Sequence, residues 1–241
     1  MFKEFILATS PAALSAQETV DEDNRLHIEV HETSSLPVIR LWTNHTTIVV
    51  PGRDSRVPEF PQACEIMKKH GIGVAVRTSG GTAVLHSSRV LNASVIFPIP
   101  KTEKVSMETG YEKLRILFDL LVPELAGRAY FSSVPGAYCD GDYNLVVDGR
   151  KIAGTAQRIK SAGTKVDHRT VLAHMSLLVD IDAPEMERTI NLYYEALQSE
   201  TRVAEGVSTG IDRLCSDKLT CVGLIDRFTE NYVHGTFDAC R

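Results

Sequence analysis

Cys139 stands in a loop of small and polar residues, Gly136-Ala-Tyr-Cys-Asp-Gly-Asp-Tyr143, and Lys151 follows twelve positions later. A cysteine thiolate is a natural nucleophile for acyl transfer, and a nearby cation lowers the pKa of its thiol. Arg150 and Lys151 come just after Asp148-Gly149, so a tight turn can fold them back beside the loop. The plainer reading is a buried, inert thiol, the usual fate of cysteine. A second candidate is Arg77-Thr-Ser-Gly-Gly-Thr-Ala-Val-Leu-His86. Exposed N–H groups in a glycine turn can hold an anion, and Arg77 can add a fork of donors. The alternative is a tight turn between two strands. No Gly-Lys-Ser/Thr follows, so this is not a Walker loop. The third candidate is His174. Along 171–180 one strand face carries Val171, Ala173, Met175, Leu177 and Val179, and the other Leu172, His174, Ser176 and Leu178. The first face reads as core. His174 therefore points to the second, where a ligand or the next layer lies, and a satisfied structural histidine is the competing reading.

The elements that must position these residues follow from pattern and punctuation. Residues 11–26 read as a helix capped by Ser10, with Pro11 in its first turn. Residues 38–50 are β-rich, with Thr46-Thr-Ile-Val-Val the clearest strand, stopped by Pro51-Gly52; Trp42 reads as packing at a strand start. A short helix is expected over 60–70, closed by Gly71, then a strand over 73–77. Residues 92–98 read as strand, and 111–125 as a helix on which Leu114, Leu117, Phe118, Leu121 and Val122 recur at three and four. Asp148-Gly149 predicts a two-residue hairpin between 144–147 and 150–153. A strand over 171–182, a helix over 185–198, a helix start at Asp212 and a final helix over 219–232 complete the reading. The hairpin signals favour antiparallel or mixed pairing over repeated βαβ units, in one α+β domain.

Composition bounds the function. The chain has 241 residues, 43% apolar and 24% charged, an ordinary globular mixture. A net charge of −5 argues against a broad nucleic-acid or anionic-membrane surface. The cysteines, Cys64, Cys139, Cys215, Cys221 and Cys240, form no CxxC pair. His31, His45, His168 and His234 show no metal spacing, and Cys215 and Cys221 read as core. An odd cysteine count without paired spacing fits a reducing cytoplasm. The N-terminal apolar run is too short and badly flanked for a secretory signal, and no stretch of about 18 apolar residues predicts a membrane helix.

Three ordered segments carry a family resemblance. Arg77-x-Ser79-Gly80-Gly81-x-Ala83-Val84-x-His86 with Asn92-x-Ser94, then Gly149-Arg-Lys-Ile-Ala-Gly-Thr-Ala-Gln-Arg158, then His174 with Leu177-Leu178, resemble the RRxSGGGxVxH…LNxS, GRKIxGxAQR and HHGTLL segments of the lipoate–protein ligase and octanoyltransferase family, which shares its catalytic domain with biotin–protein ligase. The likeness runs from about Arg40 to about Asp182. Asp54-Ser-Arg-Val-Pro58, Ala75-Val-Arg77 and Tyr138-Cys-Asp-Gly-Asp-Tyr143 resemble more narrowly its amidotransferase branch, on whose YCPGxYDL cysteine and GKKFAGxxQR lysine Cys139 and Lys151 fall. Thr82 cuts the family's glycine triplet to two, Ser87 replaces the ligases' usual aspartate, Arg89 stands where many members have glycine, and His174 is a ligase-like feature.

The resemblance implies a biotin/lipoate protein ligase type of catalytic domain over 1–241: a mixed, largely antiparallel sheet flanked by helices, with little room after Gln198 for an accessory domain. It implies transfer of octanoyl or lipoyl groups through a cysteine thioester, from an acylated carrier such as glycine-cleavage H protein to the target lysine of lipoyl domains, including the E2 subunits of 2-oxoacid dehydrogenases. Cys139 and Lys151 would be catalytic. Arg77, Ser79, Gly80, Gly81, His86, Asn92, Gly154 and His174 would bind substrate. No metal or cofactor is required, the transferred group being lipoate or octanoate, and no nucleic acid or membrane partner is implied. The alternative within the family is an ATP-dependent lipoate–protein ligase that uses ATP and Mg and works through lipoyl-adenylate, with the ATP phosphates on Arg77 and the glycine turn, Lys151 on the acyl-adenylate, and Cys139 a spectator. A second alternative, from another class, is a non-catalytic lipoyl-domain-binding protein.

Overall fold

Two sheets carry the chain. The computed structural model describes residues 4–9, 14–33, 36–164 and 166–234. In chain order the elements are β1 (Ile6–Thr9), α1 (Ala16–Thr33), β2 (Val38–Trp42), β3 (Thr47–Pro51), α2 (Phe60–Lys69), β4 (Gly73–Arg77), β5 (Val84–His86), β6 (Val90–Pro100), α3 (Glu108–Leu121), β7 (Tyr130–Ser132), β8 (Asn144–Val147), β9 (Arg150–Lys160), β10 (His168–Leu178), α4 (Ala183–Ala196) and α5 (Cys221–Val233). The seven-stranded sheet has the order β1-β2-β6-β10-β9-β8-β7. Only its β1–β2 pair is parallel. The three-stranded sheet has the order β4-β3-β5, with β3 parallel to β4 and antiparallel to β5. This is the expected α+β arrangement, mixed but largely antiparallel and flanked by helices.

The alternation of β10 decides where the cores lie. Val171, Ala173, Met175, Leu177 and Val179 are buried, and they join Leu91, Ala93, Val95 and Phe97 of β6 under Leu114, Leu117 and Phe118 of α3 and Leu224 and Phe228 of α5. Each such side chain contributes roughly 1.5–3 kcal/mol of transfer free energy. On the opposite face Leu172, Ile96 and Val38 pack under Leu26 and Val30 of α1. The small sheet buries Ile48, Val49, Val50 and Ala75 against Ala63 and Met67 of α2 and Ile190, Tyr193 and Tyr194 of α4.

Helix α1 ties the two sheets together. Its Gln17 carboxamide completes the free edge of β4, donating to Val76 O at 2.9 Å and accepting from Val76 N at 2.8 Å. Six residues on, Asp23 receives the buried Arg40 guanidinium of β2 at 2.6 Å. One helix therefore spans from an edge of the small sheet to the middle of the large one, and roofs the space between them.

Several boundaries differ from the sequence reading. The described part of α1 begins at Ala16 and continues past Leu26 to Thr33; the expected cap at Ser10 and Pro11 lies outside the described residues. Ser15 and Glu18 form a capping box instead: Ser15 Oγ accepts from Glu18 N, and Glu18 Oε2 accepts from Ser15 N at 2.8 Å. Ile6–Thr9, read only as briefly apolar, is the parallel edge strand β1. The β-rich stretch 38–50 splits into β2 and β3, which belong to different sheets, so Trp42 ends a strand rather than starting one. Asp212 opens no helix, only the 3-10 turn Ile211–Arg213. The final helix begins at Cys221 because Thr220 accepts from Gly223 N.

Candidate active site

The loop between β7 and β8 carries Cys139, and its own residues shape it. Asp140 Oδ1 accepts from Val134 N at 2.7 Å and Asn144 Nδ2 at 3.1 Å, which closes the loop across its neck. Tyr143 stacks on Tyr111 of α3 at 4.0 Å between ring centroids and fixes the loop's far end. Cys139 itself has φ 44°, the left-handed region that a non-glycine residue enters only when its neighbours hold it there. Its N–H donates to Thr82 Oγ1 at 2.7 Å, and its Sγ accepts from Thr82 N at 3.4 Å. The thiol presses on the glycine turn so closely that a Cβ added to Gly81 would lie 2.5 Å from Sγ. With φ +100° at Gly81, only glycine suits the position. Cys139 remains partly exposed.

Lys151 sits behind this loop. Asp148 (φ 50°) and Gly149 (φ 75°) make the expected hairpin turn with both central residues left-handed. The first residues of β9 then pair on their other edge with 207–209: Lys151 N donates to Val207 O at 3.0 Å, and Lys151 O accepts from Thr209 N at 2.9 Å. That double anchoring fixes where the side chain leaves the strand. Its ammonium is fully buried, donates to Tyr138 O and to Cys139 O (3.2 Å), and lies 3.9 Å from the Tyr138 ring centroid. Burial brings its pKa down to about 8, against the opposing pull of Cys139 and Asp140. Gly154 lies beside it: a Cβ there would stand at ordinary contact distance, 3.5 Å, from Nζ.

Arg77 does something other than present a free fork. Nη1 donates to Val49 O at 2.7 Å; Nη2 donates to Gly80 O at 2.8 Å and Thr82 O at 2.7 Å; Nε donates to Gly80 O at 3.3 Å. All three nitrogens are spent on backbone carbonyls, Nη1 on β3 and the other two on the turn that the arginine begins, so the guanidinium is the turn's template. Arg53 Nη2 adds a bond to Gly81 O at 2.8 Å.

The cleft between the sheets runs away from Cys139 beneath α1. Arg77, Ser79, His86, Asn92, Cys139, Gly154 and His174 line it, together with Trp42, Asp23, Ser94 and Ser176. On its floor Ser176 Oγ donates to Asn92 Oδ1 at 2.7 Å and meets His86 Nε2 at 3.2 Å. Burial holds His86 down to about 3, so the ring is neutral at ordinary pH. Trp42 packs edge-on to His86 at 5.3 Å and under the Arg40 guanidinium at 4.4 Å. Farther along, Asp23 gathers Arg40, Ser94 Oγ (2.6 Å) and His174 Nδ1 (3.6 Å). Burial alone would push the Asp23 carboxyl up, but His174, Arg40 and Ser94 outweigh it and hold it below its ordinary value.

The predicted residues thus come together around one cleft, with Gly80, Gly81 and Lys151 standing behind its Cys139 end rather than lining it. Thr82, Asp23 and Trp42 were missed as site residues. Asp23 left one signal: it falls on the buried stripe of α1 with Thr19, Leu26, His27 and Val30, where an acid is out of place unless paired. Thr82 left none beyond its intrusion into a glycine run. Among the described residues no group of three or more histidine, cysteine, aspartate or glutamate side chains could hold a metal ion.

Known proteins resemble this arrangement. An octanoyl-[GcvH]:protein N-octanoyltransferase of Kyrpidia tusciae is 35% identical over 186 residues, covering 74% of this chain and 62% of the relative. A protein of the same name from Geobacillus kaustophilus is 34% identical over 151 residues, 63% of this chain and 53% of that protein. The matches thus span little more than half of these relatives' length. A crystal structure of lipoate-protein ligase A bound with ATP shares the fold with a TM-score of 0.68 at 17% identity, over 96% of this chain and 86% of that one. The model of the lipoyl protein ligase A/B catalytic domain matches residues 15–232. That span takes in every strand but β1 and every wall of the cleft, and the chain belongs to the lipoyl protein ligase A/B catalytic-domain family.

Proposed function

We propose that this chain transfers octanoyl or lipoyl groups between lysines of lipoyl-domain proteins, through a thioester on Cys139. The observation that carries the reading is the setting of Cys139: a partly exposed thiol at the end of a cleft, receiving a backbone N–H, with the buried Lys151 ammonium behind it. The names of the relatives support an octanoylated H protein as donor. Acceptors would be other lipoyl domains, such as those of 2-oxoacid dehydrogenase E2 subunits.

The thiol first gives up its proton, and the thiolate adds to the carbonyl carbon of the octanoyl-lysine amide. Charge develops on the carbonyl oxygen, and the Lys151 cation offsets it. The C–N bond breaks, the donor's amine leaves with a proton, and a thioester remains. The neutral ε-amine of the acceptor lysine then attacks, the C–S bond breaks, the attacking nitrogen gives up one proton to the departing sulfur, and the thiol is restored. One amide is exchanged for another, so the balance needs no ATP. His86, Asn92, Ser79 and His174 would line the path of the acyl chain with Gly154, while Gly80 and Gly81 form the turn behind Cys139.

ATP-dependent ligation is the weaker reading, because Arg77 would have to abandon four bonds to carbonyls to bind phosphate. We read 1–241 as a single catalytic domain working in the cytoplasm; among the described residues no helix is long and apolar enough to cross a membrane. The test is mass spectrometry of an apo lipoyl domain incubated with the protein and octanoylated H protein without ATP, and separately with octanoate and ATP. Transfer in the first mixture, with a hydroxylamine-labile octanoyl adduct on Cys139 that is lost in Cys139→Ser, is the expected result. Modification only with ATP, undiminished in Cys139→Ser, would establish a ligase. Modification in neither would leave a binding protein.

A further inference from the structure

Thr82 is a departure from the family's glycine triplet, yet it touches Cys139 twice. Its hydroxyl accepts the Cys139 N–H at 2.7 Å, and its own N–H donates to Sγ at 3.4 Å, within range for sulfur. The amide that follows it, Ala83 N, donates to the Tyr194 phenol at 2.8 Å. Arg77 holds the Thr82 carbonyl at 2.7 Å. The residue is thus fixed at its carbonyl and at the amide that follows it, while its N–H and its hydroxyl both reach one thiol-bearing residue.

We propose that Thr82 is a positioning residue that sets the reactivity of Cys139. The hydroxyl accepts from the backbone of Cys139, so the left-handed turn at Cys139 is held from the Thr82 side. On the other side Lys151 holds the Tyr138 and Cys139 carbonyls. With the backbone gripped on both sides, Sγ lies where it receives the Thr82 N–H. A thiolate gains more from such a donor than a thiol does. Valine has the shape of threonine and cannot accept the Cys139 N–H; serine keeps the hydroxyl. The inference rests on the reading of Cys139 as the acyl-accepting thiol, but the following measurement does not involve acyl transfer.

Iodoacetamide alkylation of Cys139 is followed against pH by peptide mass spectrometry, which separates it from the other cysteines. Thr82→Val should slow alkylation about tenfold at neutral pH, and the difference should close at high pH, where a thiol ionises without help. Thr82→Ser should stay within about twofold of wild type. If the valine variant does not fold, Thr82→Ala, which adds no bulk, is used instead. A hydroxyl-less variant that folds and keeps the wild-type profile overturns the proposal, as does a serine variant as slow as valine. If the profile shifts as expected but no acyl transfer is found in the wild type, Thr82 keeps its role and the proposed activity fails.

Discussion

Lys151 is a buried amine brought down to about 8 by desolvation. Its ordinary value is 10.5. Between these values the unfolded chain still binds a proton that the folded chain has released, so this group adds stability as pH rises through that window and imposes its full cost below it. Activity should run the other way. The charge that offsets the carbonyl oxygen is lost as pH rises through about 8, so single-turnover formation of the Cys139 adduct should decline at high pH, once a gain in thiolate no longer offsets that loss. Lys151→Ala should abolish adduct formation. Lys151→Arg should not restore it, because a planar fork cannot take the place of a compact ammonium between two carbonyls and a ring. Wild-type rates in either variant would remove Lys151 from the chemistry. Asp23 offers a contrasting case in which stability is at stake. Asp23→Ala leaves the buried Arg40 without its carboxylate, a change that typically costs about 3–5 kcal/mol, and a denaturant melt with a loss well under about 1 kcal/mol would show the pair to be dispensable.

The Gly80–Gly81 turn is made by the elements around it: β4 delivers Arg77, whose guanidinium winds the next residues about itself, and the β7–β8 loop packs its thiol on the outside. Gly81→Ala should therefore fail twice, by strain at φ +100° and by collision with Sγ, costing stability of order 1–3 kcal/mol and displacing Cys139, with loss of its adduct in the mass spectrum. An alanine variant that still forms the adduct at the normal rate would show the turn to be looser than its geometry. Local signals made several of these elements legible. The Asp148-Gly149 turn, the period of α3 and the alternation of β10 are each properties of a few neighbouring residues, and they were read correctly. The Cys139 and Lys151 pair was legible through motif spacing. What was not legible depends on partners far along the chain. β1 is a strand because β2 accepts it, not because four residues demand it. Asp23 is a cleft residue because β2 brings Arg40 under the helix. Arg77, which reads as an anion fork in isolation, turns inward because Val49, Gly80 and Thr82 present carbonyls to it.

At the scale of the molecule, α1 and the cleft floor share a liability: they bury neutral histidines. His27 Nε2 meets Thr170 O at 2.9 Å and His31 Nδ1 meets Thr170 Oγ1 at 2.9 Å, holding α1 to β10, while His86 lies between the sheets. Burial lowers the pKa of all three. A folded-state value below the unfolded one means that acidification favours the unfolded chain, which takes up protons that the folded protein refuses. Their contribution is complete above about pH 6.5 and is lost as pH falls below it, for His86 all the way to about 3. For His86 alone the loss by about pH 5 is on the order of 2 kcal/mol, and at roughly 2–4 °C per kcal/mol for a chain of this size the melting temperature should drop by several degrees. Asp23, held low by Arg40, His174 and Ser94, loses its contribution only in the carboxylate range, so the interval between about pH 7.5 and 5 reports the histidines. Asp54 is pushed up by burial and works with the opposite sign at the acid end. Calorimetric melts across that interval should slope downward toward acid, and His86→Gln, which cannot take up a proton, should flatten the slope even if it lowers the starting value. A melting temperature that holds level from about pH 7.5 to 5, or a slope unchanged in His86→Gln, would mean that the floor of the cleft admits enough water to protonate its histidine without disturbing the sheets.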